Sequence, residues 1–147
     1  MLIYDLNANP LNSNEWAFPL TECFHITSFA LSIGTIALVD LRLLGLAWKN
    51  QTAAQLLKDT AIWTFAGLVI VIISGLLIFS SDPIRYIYNS GFQYKMLALL
   101  LGIIFNYTVH RKVALSNPLP SSAKLVGALS LFIWILVPFG GIWISFV

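Results

Sequence analysis

Residues 61–79, AIWTFAGLVIVIISGLLIF, decide the fold, because this run of 19 residues contains no charged side chain. A helix needs about 20 apolar residues to cross about 30 Å of hydrocarbon. Three further, largely apolar runs occupy residues 20–47, 94–110 and 125–147. Backbone groups in lipid must find their partners within their own segment, so all four runs are predicted to be helices.

The composition points to the same class. Hydrophobic residues make up 59% of the chain and charged residues 10%, whereas an ordinary soluble domain is about 25% charged. The sequence therefore predicts one all-α domain over residues 1–147, an integral membrane four-helix bundle. Its basic residues are dispersed near the membrane edges, which gives a nucleic-acid partner no support.

The basic residues also predict an orientation. Because cytoplasmic loops carry an excess of lysine and arginine, the side of the membrane that holds most of them is expected to be the inner one. Both termini then face outside, in the inner membrane of a bacterium. The residues that set this orientation are Arg42, Lys49, Lys58, Arg111, Lys112 and Lys124.

His25 and Lys95 are the leading candidates for a binding site. A lysine at the centre of a span costs about 2.5–3.5 kcal/mol, so an intramembrane lysine is usually interfacial or functional. The first and third spans run in the same direction, and both residues fall near the outer start of their span, so the two share a layer. The alternative for Lys95 is that its ammonium reaches the outer headgroups by snorkelling.

Small and polar residues follow each of these two positions at helical spacing. Ser28 and Ser32 continue the face of His25, and Gly102 continues the face of Lys95. Serines in membrane helices commonly hydrogen-bond a neighbouring helix, and such a glycine commonly serves helix packing. The same residues could line a cofactor site, where the glycine would admit a flat macrocycle.

A second polar cluster is predicted at the inner end if the first and third spans pack together. An ion pair between helices is the commoner explanation for such a cluster, and a proton or quinone site is the alternative. His110 lies roughly 15–20 Å along the membrane normal from His25, so one haem held by both histidines is disfavoured. The cluster consists of Asp40, Arg42, Asn106 and His110.

Two stretches carry a family resemblance. Residues 22–46, ECFHITSFALSIGTIALVDLRLLGL, and residues 91–110, GFQYKMLALLLGIIFNYTVH, resemble the small four-helix membrane proteins that include the HemJ-type protoporphyrinogen oxidase and the copper-resistance D membrane proteins. The sequence is more similar still to a group of bacterial membrane proteins with a histidine in the first span, DLRLLGL at its inner end and a lysine opening the third.

The resemblance implies a b-type haem held at His25 and Lys95. Imidazole is an ordinary axial ligand of haem iron, and lysine could ligate as the neutral amine or pair its ammonium with a propionate. Asp40-Leu41-Arg42 departs from the oxidase family's inner-end sequence, so the substrate does not carry over. The resulting hypothesis is a haem b membrane protein in electron transfer, as a redox component or small subunit, with enzymatic activity left open.

Two other functions stay open. Copper could be held by His25 and Glu22 at helical spacing, perhaps with Cys23, in a metal-handling or transport protein, although the methionine or histidine enrichment of a copper path is lacking. The chain could also be a haem-free structural subunit of a membrane complex. The expected partners are the lipid bilayer and other membrane or periplasmic redox subunits, and an oligomer is compatible with the sequence.

Overall fold

A computed structural model describes residues 8–147 of the chain, and these residues form helices and no β-strand. Residues 106–110 make a π-helical turn that joins two of the helices into one rod. The helices are α1 (Pro10–Ser13), α2 (Ala17–Leu43), α3 (Ala53–Ser81), α4 (Pro83–Tyr88), α5 (Ser90–Phe105), α6 (Arg111–Ala114) and α7 (Ala123–Trp143).

Four helical segments are long and apolar enough to cross a membrane: α2, α3, Ser90–Ala114 and α7. The chain is therefore an integral membrane protein, and the predicted all-α class is confirmed. The second span begins at Ala53 rather than at residue 61, because the Thr52 side chain caps α3 by accepting a hydrogen bond from the Gln55 N–H. Residues 53–60 thus continue the spanning helix.

The short helix α4 begins with an aspartate cap followed by a proline. Asp82 accepts a hydrogen bond from the Arg85 N–H, and Pro83 occupies the first turn. Asn89 then ends α4 and caps α5 by accepting from the Phe92 N–H. The Asn89 amide also donates to the Ile144 and Val147 carbonyls, so one side chain ties the start of α5 to the end of α7.

The four spans differ in how closely they pack. Helix α2 packs against α3 and α7, and α5 packs against α7, whereas the backbones of α3 and α5 stay further apart. A hydrophobic core that contains Leu68 of α3 and Trp134 of α7, with side chains of α5 packed against it, lies between the spans. We call the end that carries the N-termini of α2 and α5 the His25 end, and the opposite end the Asp40 end.

Small residues allow neighbouring helices to approach each other closely. A Cβ on Gly67 of α3 would collide with Ser32 and with the Ser28 carbonyl of α2, and a Cβ on Gly127 of α7 would lie 2.9 Å from the Asp40 carbonyl oxygen. Without side chains at these positions the backbones can touch, as is usual between membrane helices. The contact at Gly127 holds the Asp40 backbone against α7.

Candidate functional site

His25 is held in one orientation by α3. Its Nδ1 lies 2.9 Å from Ser74 Oγ, and the Ser74 hydroxyl donates to the Ile70 carbonyl at 2.6 Å. Because the serine proton is already donated, Ser74 Oγ accepts from His25 Nδ1–H. The lone pair is then on His25 Nε2, the usual state of a metal-binding imidazole whose other nitrogen is hydrogen-bonded.

Lys95 faces that lone pair. Its Nζ lies 3.4 Å from His25 Nε2, so the predicted proximity of the two residues is found. The lysine backbone lies against α7, where a Cβ on Gly140 would come within 2.9 Å of Lys95 Cα. No carboxylate of the described residues forms an ion pair with Lys95, although Glu22 is close enough to act on it electrostatically.

An aromatic cluster joins α3, α4 and α5 at the His25 end. Phe79 of α3 stacks on Phe92 of α5 with ring centroids 5.6 Å apart, and Tyr86 of α4 lies 5.5 Å from Phe92. Burial raises the pKa of the Tyr86 phenol above its usual value, which keeps it neutral. Phe92 is one turn before Lys95, so the cluster lies on the same side of α5 as the lysine.

The other residues predicted for this site lie elsewhere. Ser32 Oγ donates to the Ser28 carbonyl at 3.1 Å and to the Thr64 carbonyl at 3.3 Å, so both serines belong to the α2–α3 contact. Gly102 faces Trp134 of α7, whose ring would lie 3.3 Å from a Cβ there. These contacts match the helix-packing explanation of the three positions, and the assignment of Ser28, Ser32 and Gly102 to a cofactor site stays a prediction.

The Asp40 end holds a fully buried histidine–aspartate pair. His110 Nε2 lies 2.7 Å from Asp40 Oδ1, and the two residues are 0% exposed. Asn106, one turn before His110, is also buried. The π-helical turn places Asn106 and His110 together on the inward face, in keeping with the frequent occurrence of π turns at functional sites.

The predicted fourth member of this cluster is absent from it. Arg42 turns away and donates from Nε to the Gln51 carbonyl, where it binds the loop before α3. Ser130 of α7 lies beside the Asp40 carboxylate instead, and it is 0% exposed. We call Asp40, Asn106, His110 and Ser130 the buried cluster.

Sequence reasoning missed two residues, Ser74 and Ser130. Each is a single serine within a long apolar stretch, and serines are common in membrane helices. The available signal was the neighbourhood of each serine. A small residue there, such as Gly75 beside Ser74, allows a second helix to approach closely. A Cβ on Gly75 would lie 3.2 Å from His25 Cε1, so this glycine makes room for the ring.

The donor set limits which metal centres the described residues could form. No group of three or more histidine, cysteine, aspartate or glutamate side chains comes together within residues 8–147. Cys23 and Glu22 are exposed, while His25 points into the bundle. The copper cluster of His25, Glu22 and Cys23 considered from the sequence is therefore not assembled.

The sequence profile of a family described as "Family of unknown function (DUF6644)" matches residues 17–147, and the chain belongs to this family. The matched range includes His25, Lys95 and all four residues of the buried cluster. No curated protein and no solved structure matches the chain.

Proposed function

We propose that the protein binds a b-type haem at the His25–Lys95 pair and takes part in electron transfer within the membrane. The observation that carries the proposal is the fixed imidazole of His25, whose Nδ1 is bound to Ser74 while Nε2 faces the amine of Lys95. When bound, a haem supplies one-electron chemistry at its iron. The resemblance to haem-associated four-helix proteins supports the same assignment.

The residues present fit a haem better than a bare metal ion. A porphyrin supplies four nitrogen ligands, so one or two protein ligands suffice, whereas zinc and copper sites usually take three or more from the protein. His25 and Lys95 offer two nitrogens, and the described residues add no third donor. The donor set thus favours the haem over the copper alternative.

The spacing of the two nitrogens bears on the role of Lys95. Lys95 Nζ lies 3.4 Å from His25 Nε2, so the lysine side chain would turn away from the imidazole when a haem is held there. The amine would then ligate the iron, or the ammonium would pair with a propionate. The flexible four-carbon stem of the lysine allows that movement.

The decisive experiment is spectroscopic. Wild-type protein purified in detergent, with haem supplied during expression, is expected to show a Soret band and a reducible alpha band. His25→Ala should lose the haem while the protein still inserts into the membrane. A colourless wild-type protein after haem supplementation would refute the proposal.

Lys95→Met separates the two roles of the lysine, because it keeps the apolar stem and removes the amine. If Lys95 ligates iron, the spectrum or the reduction potential shifts. If Lys95 pairs with a propionate, the spectrum stays and haem retention weakens. Thr108→Val, which changes an exposed hydroxyl elsewhere on the same membrane-spanning rod, serves as the control.

We further propose that the His25 end faces the outside of a bacterial inner membrane, where a membrane or periplasmic redox subunit would exchange electrons with it. The asymmetry of lysine and arginine supports this orientation. A C-terminal alkaline phosphatase fusion is expected to be active and a C-terminal green fluorescent fusion dark. The reverse pattern would invert the orientation and exchange the two compartments.

A further inference from the structure

The exposed surface of the Asp40 end is strongly basic. Its exposed cations form no ion pair with a carboxylate of the described residues, although Asp59 is exposed at the same end. An unpaired basic surface at a membrane edge attracts anions, and the anions at that depth are the headgroups of acidic phospholipids. The exposed cations are Lys49, Lys58, Arg111, Lys112 and Lys124.

One of these cations, Arg111, borders a groove between α3 and the third span. The π-helical turn supplies Tyr107 to the same groove, and α6 contacts α3 beside it. Because α3 follows the groove from Leu57 to Thr64, the groove leads from Arg111 toward the middle of the membrane. The residues of α3 that line it are Leu57, Thr60, Ala61 and Thr64.

The size of this groove limits the kind of ligand it can take. Its volume is about 30 Å³, whereas pockets that enclose a small organic ligand measure about 300–1,000 Å³. It therefore has no room for a quinone ring or a soluble metabolite. A phospholipid does not need to be enclosed, because its chains stay in the bilayer and its headgroup binds at the protein surface.

The wall formed by α3 suits a hydrocarbon chain. The Thr60 hydroxyl donates to the Leu56 carbonyl at 2.8 Å, and the Thr64 hydroxyl donates to the Thr60 carbonyl at 3.1 Å. Both hydroxyl protons are thus bound within the helix, and Leu57 and Ala61 are apolar. A chain that lies along this wall leaves no donor of α3 without a partner.

Two donors at the open side of the groove suit a phosphate group. Tyr107 and Arg111 are both exposed and lie one turn apart, and the guanidinium is close enough to act electrostatically on the phenol. The Tyr107 hydroxyl forms no hydrogen bond with another described residue. A guanidinium binds phosphate through two parallel hydrogen bonds, and a phenol can donate a third.

We propose that Arg111 and Tyr107 bind the phosphate of an anionic phospholipid at the Asp40 end, with one acyl chain lying along the groove between α3 and the third span. Lys58 and Lys112 are exposed next to residues of the groove and add positive charge. They favour a headgroup with net negative charge over a zwitterionic one. The lipid thereby joins the second and third spans, whose backbones stay further apart than those of the other neighbouring helices.

Native mass spectrometry tests the proposal on detergent-solubilised protein. Phosphatidylglycerol and phosphatidylcholine with the same acyl chains are offered in equal amounts, and the first lipid that remains bound is identified. Wild-type protein is expected to retain phosphatidylglycerol about fivefold more often, because each cation near the headgroup contributes. Equal retention of the two lipids would overturn the proposal.

Two substitutions of Arg111 locate the site. Arg111→Gln should lower the preference for phosphatidylglycerol about threefold. Arg85→Gln removes an exposed arginine of α4 at the opposite end and should leave the preference unchanged. Equal losses in these two variants would reduce the preference to net charge and overturn the site. Arg111→Lys should fall between Arg111→Gln and the wild type, because lysine keeps the charge and loses the paired hydrogen bonds.

Tyr107→Phe tests the second donor. It should lower the preference about twofold, by loss of one hydrogen bond, whereas Tyr94→Phe, at an exposed tyrosine near the other end of the same rod, should not. Equal results for the two tyrosines would remove Tyr107 from the site.

Soluble glycerol phosphate separates a lipid site from a phosphate site. If it displaced phosphatidylglycerol at equal concentration, the acyl chain would contribute nothing and the docking of a lipid would be overturned. The expected result is that the lipid stays bound. None of these measurements requires bound haem, so the outcome is independent of the proposed electron-transfer function.

Discussion

The two ends of the bundle hold histidines in opposite electrostatic settings. His25 faces an amine and is half-buried, whereas His110 faces a carboxylate and is completely enclosed. A histidine–lysine pair has two nitrogen donors and no anion bound to it within the described residues, so it suits a metal or an anionic ligand. In the histidine–aspartate pair a ring nitrogen and a carboxylate oxygen already contact each other, so this pair suits a fixed internal contact.

The two ends also differ in their packing. At the Asp40 end, Val39, Leu43 and Ala114 form a hydrophobic core next to the pair. At the His25 end, aromatic side chains of α3, α4 and α5 meet, with Phe79 stacked on Phe92. Aliphatic packing therefore accompanies the fully buried His110, and aromatic packing accompanies the half-buried His25.

The largest effect is expected from breaking the enclosed pair. Asp40→Ala leaves the His110 ring buried without its partner and should lower the free energy of unfolding by about 3 kcal/mol, as for other broken buried pairs. Denaturant titration in mixed micelles measures this. Asp59→Ala, at an exposed carboxylate on α3, is the control and should change stability by less than about 0.5 kcal/mol.

Glycine substitutions compare how tightly the ends are packed. Gly127→Ala presses on the Asp40 carbonyl and Gly140→Ala presses on the Lys95 backbone, each from 2.9 Å. Each should cost about 1–3 kcal/mol of stability, since backbone atoms cannot give way as a side chain can. Gly34→Ala meets nothing within 4 Å and should be neutral or slightly stabilising. If Gly140→Ala were as stable as Gly34→Ala, α7 and α5 would pack less tightly at the His25 end than the structure shows.

Ser74→Ala tests the hydrogen bond that orients His25. The variant should fold normally, because the serine already bonds within its own helix, and its haem affinity should fall about 10- to 100-fold, as for other partners of a metal-binding histidine. Haem titration followed at the Soret band measures the change. Ser80→Ala, near the end of the same helix, is the control, and equal affinities in the two variants would mean that Ser74 does not orient the ring.

Sequence reasoning reached the helices and the pairing of His25 with Lys95, because both follow from hydrophobic length and from depth in the membrane. It left open whether Ser28, Ser32 and Gly102 serve helix packing or a cofactor, because their roles depend on the rotation of each helix against its neighbour. It also missed Ser130, because the inner cluster was predicted from the first and third spans, whereas Ser130 lies on the fourth. The π-helical turn at residues 106–110 changes the helical phase at the buried cluster, and regular spacing gives no sign of it.

The smallest expected effect is the sharpest test of the separation between the two ends. His110→Gln should leave the haem spectrum and the reduction potential unchanged, because the ring lies with Asp40 at the opposite end from the His25–Lys95 pair. The same variant should lower stability, since Gln lacks the ring nitrogen that contacts the buried Asp40 carboxylate. Optical redox titration and denaturant titration on one preparation give both results. If haem were lost from folded His110→Gln protein, the iron would be held at the Asp40 end or at both ends, and the proposed division of roles would be wrong.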